Sequence, residues 1–186
     1  VRIAVERLGV RQIRFTGGEP LLRKGLVDIV RGSARLQPRP ELSLTTNGIG
    51  LARLAQSLAD AGLDRVNGSL DTLEPQRFEA ISRRRRLPDV LDGLAAAAAA
   101  GLTPVKINAV LMRGINDDEA PRLLRWALDR GYEMRFIEQM PLDPQHGWNR
   151  RDMVTAAEIL TSLAAEFRLT PVGADERGSA PAETWL

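Results

Sequence analysis

Gln12-Ile13-Arg14-Phe15-Thr16-Gly17-Gly18-Glu19-Pro20 is a short run of strand character that breaks on two glycines, an acid and a proline. The same rhythm repeats outward from it. Strand patterns fall at residues 12–16, 42–46, 65–70, 105–111 and 133–137. Between them, residues 24–36, 51–61, 87–101 and 120–131 each place apolar side chains along one helical face. A last helix is expected over residues 156–167, with Thr155 as N-cap and Glu158 closing a capping box. Such alternation specifies βαβ crossovers and a mainly parallel sheet. The expected fold class is α/β, a partial TIM-like (β/α) barrel of parallel strands and outer helices over residues 1–170. Residues 171–186 lose all periodicity and read as a loop, or as the start of a further C-terminal region.

With 186 residues, 44% of them hydrophobic, 16 Gly and 11 Pro, the chain can bury one sizeable core. Its 26 basic and 24 acidic side chains nearly balance, so no broad positive field marks a nucleic-acid partner. No apolar run approaches the roughly 20 residues that span a bilayer. The opening Val1-Arg2-Ile3 lacks a basic-then-apolar signal. No membrane partner and a cytoplasmic location are expected. The absence of Cys excludes disulfides and any thiolate-held metal within these residues, so no metal ligand is assigned.

In parallel barrels the C-terminal strand ends form the ligand-binding rim. Near these ends stand Thr16 to Glu19, Thr45-Thr46-Asn47, Asn67, Ser69, Asp71, Asn108 and Glu138-Gln139-Met140, with the cations Arg14, Lys106 and Arg135 on the same strands. Inward-facing cations are expensive unless paired or bound to an anion. Two readings are open: a polyphosphate site, or internal pairing of these cations with Glu19, Asp71 and Glu138. Gly17-Gly18 likewise either lets a ligand approach the backbone or makes a tight turn.

Arg14 to Arg23 resembles the GGEP region of radical S-adenosylmethionine enzymes, in the form carried by the GTP-cyclising family of molybdenum-cofactor biosynthesis. Thr45-Thr46-Asn47-Gly48, Asn67 to Leu73, Lys106 to Val110 and Arg135 to Pro141 continue the likeness in order. The resemblance implies that Gly18, Glu19, Ser69 and Met140 contact S-adenosylmethionine, and that Arg14, Thr45 and Lys106 contact GTP. It requires no side chain as nucleophile and leaves catalytic residues unassigned. The implied reaction uses a reduced [4Fe-4S] cluster to cleave S-adenosylmethionine. The resulting 5'-deoxyadenosyl radical takes hydrogen from C3' of GTP, and that carbon closes onto C8 of guanine. A second [4Fe-4S] cluster, a downstream pterin-forming enzyme acting on the cyclised product, and a homodimer belong to the same implication.

Both cysteine motifs of that family lie outside these residues, as truncation at each end would leave them, and the chain alone is expected to be inactive. A radical S-adenosylmethionine enzyme with another substrate and a non-catalytic nucleotide-binding scaffold are the alternatives. Gly68 stands where the family usually has Val, an expected cost of about 1 kcal/mol in the strand. Arg85, where an acid is common, lies in the run Arg83–Arg86, which reads as a solvated helix end. His146 and Trp148 read as surface loop residues.

Overall fold

The computed structural model describes residues 1–141, 149–173 and 182–186, which leaves His146 and Trp148 outside the described residues. Five parallel strands, β1 (Gln12–Phe15), β2 (Glu41–Thr46), β3 (Arg65–Ser69), β4 (Lys106–Val110) and β5 (Glu133–Ile137), hydrogen-bond in sequence order. The crossovers carry α2 (Leu26–Ala34), α3 (Ala55–Asp60), α4 (Pro75–Ser82), α5 (Leu87–Ala99) and α6 (Ala120–Leu128), with α1 (Arg2–Leu8) before β1 and α7 (Ala156–Ala164) after β5. This is a partial (β/α) barrel.

Strand side chains alternate between faces, and the two faces differ in their predominant chemistry. Leu42, Leu44, Val66, Leu70, Ile107, Ala109 and Leu111 are buried, with Ile13, Phe15, Met134 and Phe136 packed beside them against the helices. The intervening positions include Arg14, Ser43, Thr45, Arg65, Asn67, Ser69, Lys106, Asn108 and Arg135, polar or charged, with the apolar Val110 and Ile137 at the ends of β4 and β5. One face makes the core. The other carries the chemistry.

The strands follow the sequence expectation to within a residue or two at each end. Thr155 caps α7 by accepting from the Glu158 amide at 3.3 Å, and the Glu158 carboxylate accepts from the Thr155 amide at 2.8 Å. The helix expected over residues 51–61 breaks into a 3₁₀ turn (Leu51–Arg53) and α3. Here α5 packs closely on the start of the segment: a Cβ at Gly93 would stand 2.5 Å from the Gly48 carbonyl oxygen and 3.1 Å from the Leu51 Cβ. Helix α4, absent from the sequence reading, buries only Phe78. A single anchor in a polar stretch leaves little periodic signal.

Gly68 is not a weakness in β3. A Cβ there would lie 2.4 Å from Cδ2 of Leu94, so the fully buried Leu94 side chain of α5 occupies the space that valine would need. In the arginine run, Arg85 pairs with Glu79 at 2.6 Å and Arg86 with Asp89 at 2.8 Å, all on the exposed surface. Where residues 171–186 show no periodicity, Pro171 bridges Trp185 in antiparallel sense, and Thr170 and Leu186 exchange two amide–carbonyl bonds of 2.7 and 2.8 Å. Backbone pairing of this kind needs no side-chain pattern.

Candidate functional site

The Gly17-Gly18 turn leaves the C-terminal end of β1. Gly17 has φ 148°, a conformation that side chains disfavour, and a Cβ on either glycine would meet nothing within 4 Å. Glu19 fixes this turn in place. Its Oε1 accepts from the Leu21 amide (3.0 Å) and the Thr46 hydroxyl (2.7 Å), and its Oε2 accepts from the Asn47 amide (2.8 Å). Glu19 therefore ties the turn to the end of β2 and caps the 3₁₀ turn Pro20–Leu22. Of about four acceptor positions on a carboxylate, three are occupied by the protein.

On the polar face, the register sets Arg14 beside Ser43 and Ser43 beside Arg65. The next row runs Thr45, Asn67, Lys106 and Glu133, and a third runs Ser69, Asn108 and Arg135. The internal pairing of cations with Glu19, Asp71 and Glu138 does not occur. Asp71 instead accepts from the Val110 amide at 2.8 Å and Glu138 from the Ala156 amide at 2.7 Å. Lys106 pairs with Glu133, its register partner, and Arg65 pairs with Glu41 at 2.5 Å.

Arg14 and Arg135 have no hydrogen bond or salt bridge among the described residues. Burial holds the Arg135 guanidinium pKa below its usual value. Arg14 and Arg65 nearby push the same way, and Glu133 opposes them. Mutually repelling cations without counter-ions suit an anionic ligand. Arg65 escaped the sequence reading, although it lies two residues before Asn67 and so on the same face. Within this row, Oδ1 of Asn67, a residue only 1% exposed, has no hydrogen-bond partner among the described residues.

A cleft of about 300 Å³ opens beside Ser69 and Asn47, walled by Phe78 and Ile81 of α4 and floored by Asp71 and Thr72. Burial raises the Asp71 carboxyl pKa, with the Val110 amide bond partly offsetting the effect. Met140, 57% exposed, follows β5. Thus Gly18 and Glu19 follow β1, Ser69 ends β3 and Met140 follows β5, while Arg14, Thr45 and Lys106 share the polar face.

The sequence reading also missed the polar residues that hold this rim together. Buried Glu119 accepts from Thr72 Oγ1 (2.5 Å), the Leu73 amide (3.0 Å) and Arg77 (2.9 Å). Buried Asn116 donates to the carbonyls of Asp71 (2.7 Å) and Val110 (3.1 Å) and accepts from the Met112 amide (2.7 Å). Both residues lie in Gly114-Ile115-Asn116-Asp117-Asp118-Glu119, a stretch whose composition looks like a solvated loop. The network clamps the loops after β3 and β4 to each other.

A parallel α/β sheet with one packed face, one mainly polar face and an open glycine turn at its C-terminal edge defines the partial (β/α) barrel class, whose ligand-binding rim is formed by these strand ends. The sequence profile described as the Radical SAM superfamily matches residues 1–127, and the chain belongs to that superfamily. It is 66% identical over 186 residues to the GTP 3',8-cyclase of Streptomyces coelicolor, covering all of this chain and 54% of that protein. It is 58% identical to the GTP 3',8-cyclase of Mycobacterium marinum, of which it covers 51%. The chain thus spans about half the length of the curated relatives it matches.

Among solved structures it resembles TYW1 with a lysine-pyruvate adduct bound, at TM-score 0.60 and 18% identity over 88% of this chain and 53% of that one. It also resembles the coproporphyrinogen III oxidase HemN of Escherichia coli, at TM-score 0.58 and 15% identity over 89% of this chain and 42% of that one. Both likenesses bear out the fold.

Membership implies S-adenosylmethionine and a [4Fe-4S] cluster. The Gly17-Gly18 backbone is open enough for the former to approach it. The cluster does not fit these residues, because the chain has no cysteine and no group of three metal-ligating side chains occurs among the described residues. No helix among the described residues is long and apolar enough to cross a membrane.

Proposed function

We propose that this chain is the S-adenosylmethionine-binding and GTP-binding portion of a GTP 3',8-cyclase, acting in the cytoplasm in the first step of molybdenum-cofactor biosynthesis. The carrying observation is that Arg14 and Arg135 stand without a hydrogen-bond or ion-pair partner among the described residues, on the face that also presents Lys106 and Thr45. Arg14, Arg135 and Lys106 hold the triphosphate through charge-assisted bonds, and the Thr45 hydroxyl adds a neutral one. Gly18 offers its backbone to the methionyl group of S-adenosylmethionine, with the one remaining acceptor position of Glu19 facing the ammonium. Ser69 and Met140 contact the rest of that molecule. S-adenosylmethionine supplies the hydrogen-abstracting chemistry of this superfamily once a cluster is bound.

The protein's own part is placement. Cations fix the nucleotide by its phosphates and the glycine turn fixes the cofactor by its amino acid, so the reacting carbon is oriented from both ends. Cluster ligands come from outside these 186 residues, two clusters in all. The cyclised product passes to a pterin-forming enzyme, and the working assembly is a homodimer. The chain alone binds ligands without turning over. Calorimetric titration of GTP into wild type and into Arg14→Ala/Arg135→Ala tests this. Wild-type binding that the variant loses supports the assignment, whereas equal binding by both removes the triphosphate site from this face.

A further inference from the structure

Asn67 lies in the middle of the polar face, between Thr45 and Lys106 in one register row, and is 1% exposed. Its Nδ2 donates to Thr45 Oγ1 across a long 3.4 Å, and its Oδ1 is the buried side-chain atom left without a partner among the described residues. An unsatisfied buried amide oxygen costs about 1–3 kcal/mol and is rare in folded chains. Buried Thr46, Thr72, Asn116 and Glu119 each have two or more partners, whereas the Asn67 amide is tied on one side only.

We infer that Asn67 reads the nucleoside part of the bound nucleotide, its free oxygen accepting a hydrogen bond from a hydroxyl or N–H group of the ribose or base. The inference rests on the GTP-site reading of this face. An amide oxygen is an acceptor and repels phosphate oxygens, so Asn67 does not duplicate the cations on either side. Its row neighbour Lys106 is held by the half-exposed Glu133. Asn67 is covered in this structure, so contact with the nucleoside requires a neighbouring side chain to move as the nucleotide binds.

The test is calorimetry of wild type, Asn67→Ala and Asn67→Asp with GTP, 2'-deoxy-GTP, 3'-deoxy-GTP, inosine triphosphate and inorganic tripolyphosphate. Asn67→Ala is expected to bind GTP about tenfold more weakly, the worth of one buried hydrogen bond, and tripolyphosphate within about twofold of wild type. One analogue lacking a single donor should bind wild type about tenfold more weakly than GTP does, and should lose that deficit against Asn67→Ala. Asn67→Asp, which retains the acceptor, keeps the deficit and carries the test if the alanine variant does not fold. A parallel fall in GTP and tripolyphosphate affinity, or a deficit that persists in Asn67→Ala for every analogue, overturns the inference. Wild type that binds neither GTP nor tripolyphosphate overturns the triphosphate reading beneath it, and the inference with it.

Discussion

The Lys106 ammonium is bound to the carboxylate of Glu133, its register partner on β5, on the face that also carries Arg14 and Arg135, which have no such partner among the described residues. Glu133 is half exposed, while Lys106 is mostly covered. The carboxylate therefore acts as an internal competitor for any anion approaching Lys106.

Replacing Glu133 with Gln removes the competitor and keeps the shape. GTP affinity is expected to rise about fivefold, the roughly 1 kcal/mol of a partly exposed ion pair, and calorimetry at low and high salt reads it. A Glu133→Gln variant that binds GTP more weakly would show that Glu133 itself faces the nucleotide.

Glu119 receives three donors in a buried position, including Arg77. Glu119→Ala strands those donors and is expected to cost about 3 kcal/mol of stability, as broken buried charge networks do. Urea unfolding measures it. A loss below about 0.5 kcal/mol, the range of ordinary surface substitutions, would mean that the two loops are held by other contacts.

Gly68→Val places a side chain on Leu94 and is expected to destabilise by about 1–3 kcal/mol, as overpacking does. Shortening the opposing side chain in Gly68→Val/Leu94→Ala should recover part of that loss. Thermal unfolding of the single and double variants reads the coupling, and purely additive losses would show that the two positions do not compete for space.

Glu158 in the α7 capping box has its pKa lowered to about 2 from the ordinary 4.5, chiefly by the Thr155 amide, with Arg113 and the Thr155 hydroxyl adding to it. A carboxylate whose folded pKa is depressed contributes stability above its unfolded pKa and loses it as pH falls through the folded one. Wild type is therefore expected to exceed Glu158→Gln in stability at neutral pH. The difference should shrink between about pH 4.5 and about pH 2. A difference constant across that window would detach Glu158 from the cap.

The parity of the strands was legible from apolar runs, because the same residues that define a strand also define its buried face. The capping box was legible because Thr155 and Glu158 carry their own geometry in their spacing. Glu119 and Asn116 were not, since a buried carboxylate and a solvated one have the same letter and differ only in what folds over them. The partner of Lys106 was left open for a related reason: register, which brings Glu133 beside it, is a property of two strands and is invisible in one. Asn67 was noticed as polar but not as unsatisfied, since an unmet hydrogen bond exists only once all neighbours are placed.

The alternation along β1 to β5 has an evolutionary consequence. Within each strand, neighbouring letters answer to different pressures: one set keeps the sheet attached to its helices and the other meets the ligand. Lineages can rewrite the ligand-facing letters while leaving the packing letters alone, so new chemistry can be explored on this scaffold without first losing the scaffold.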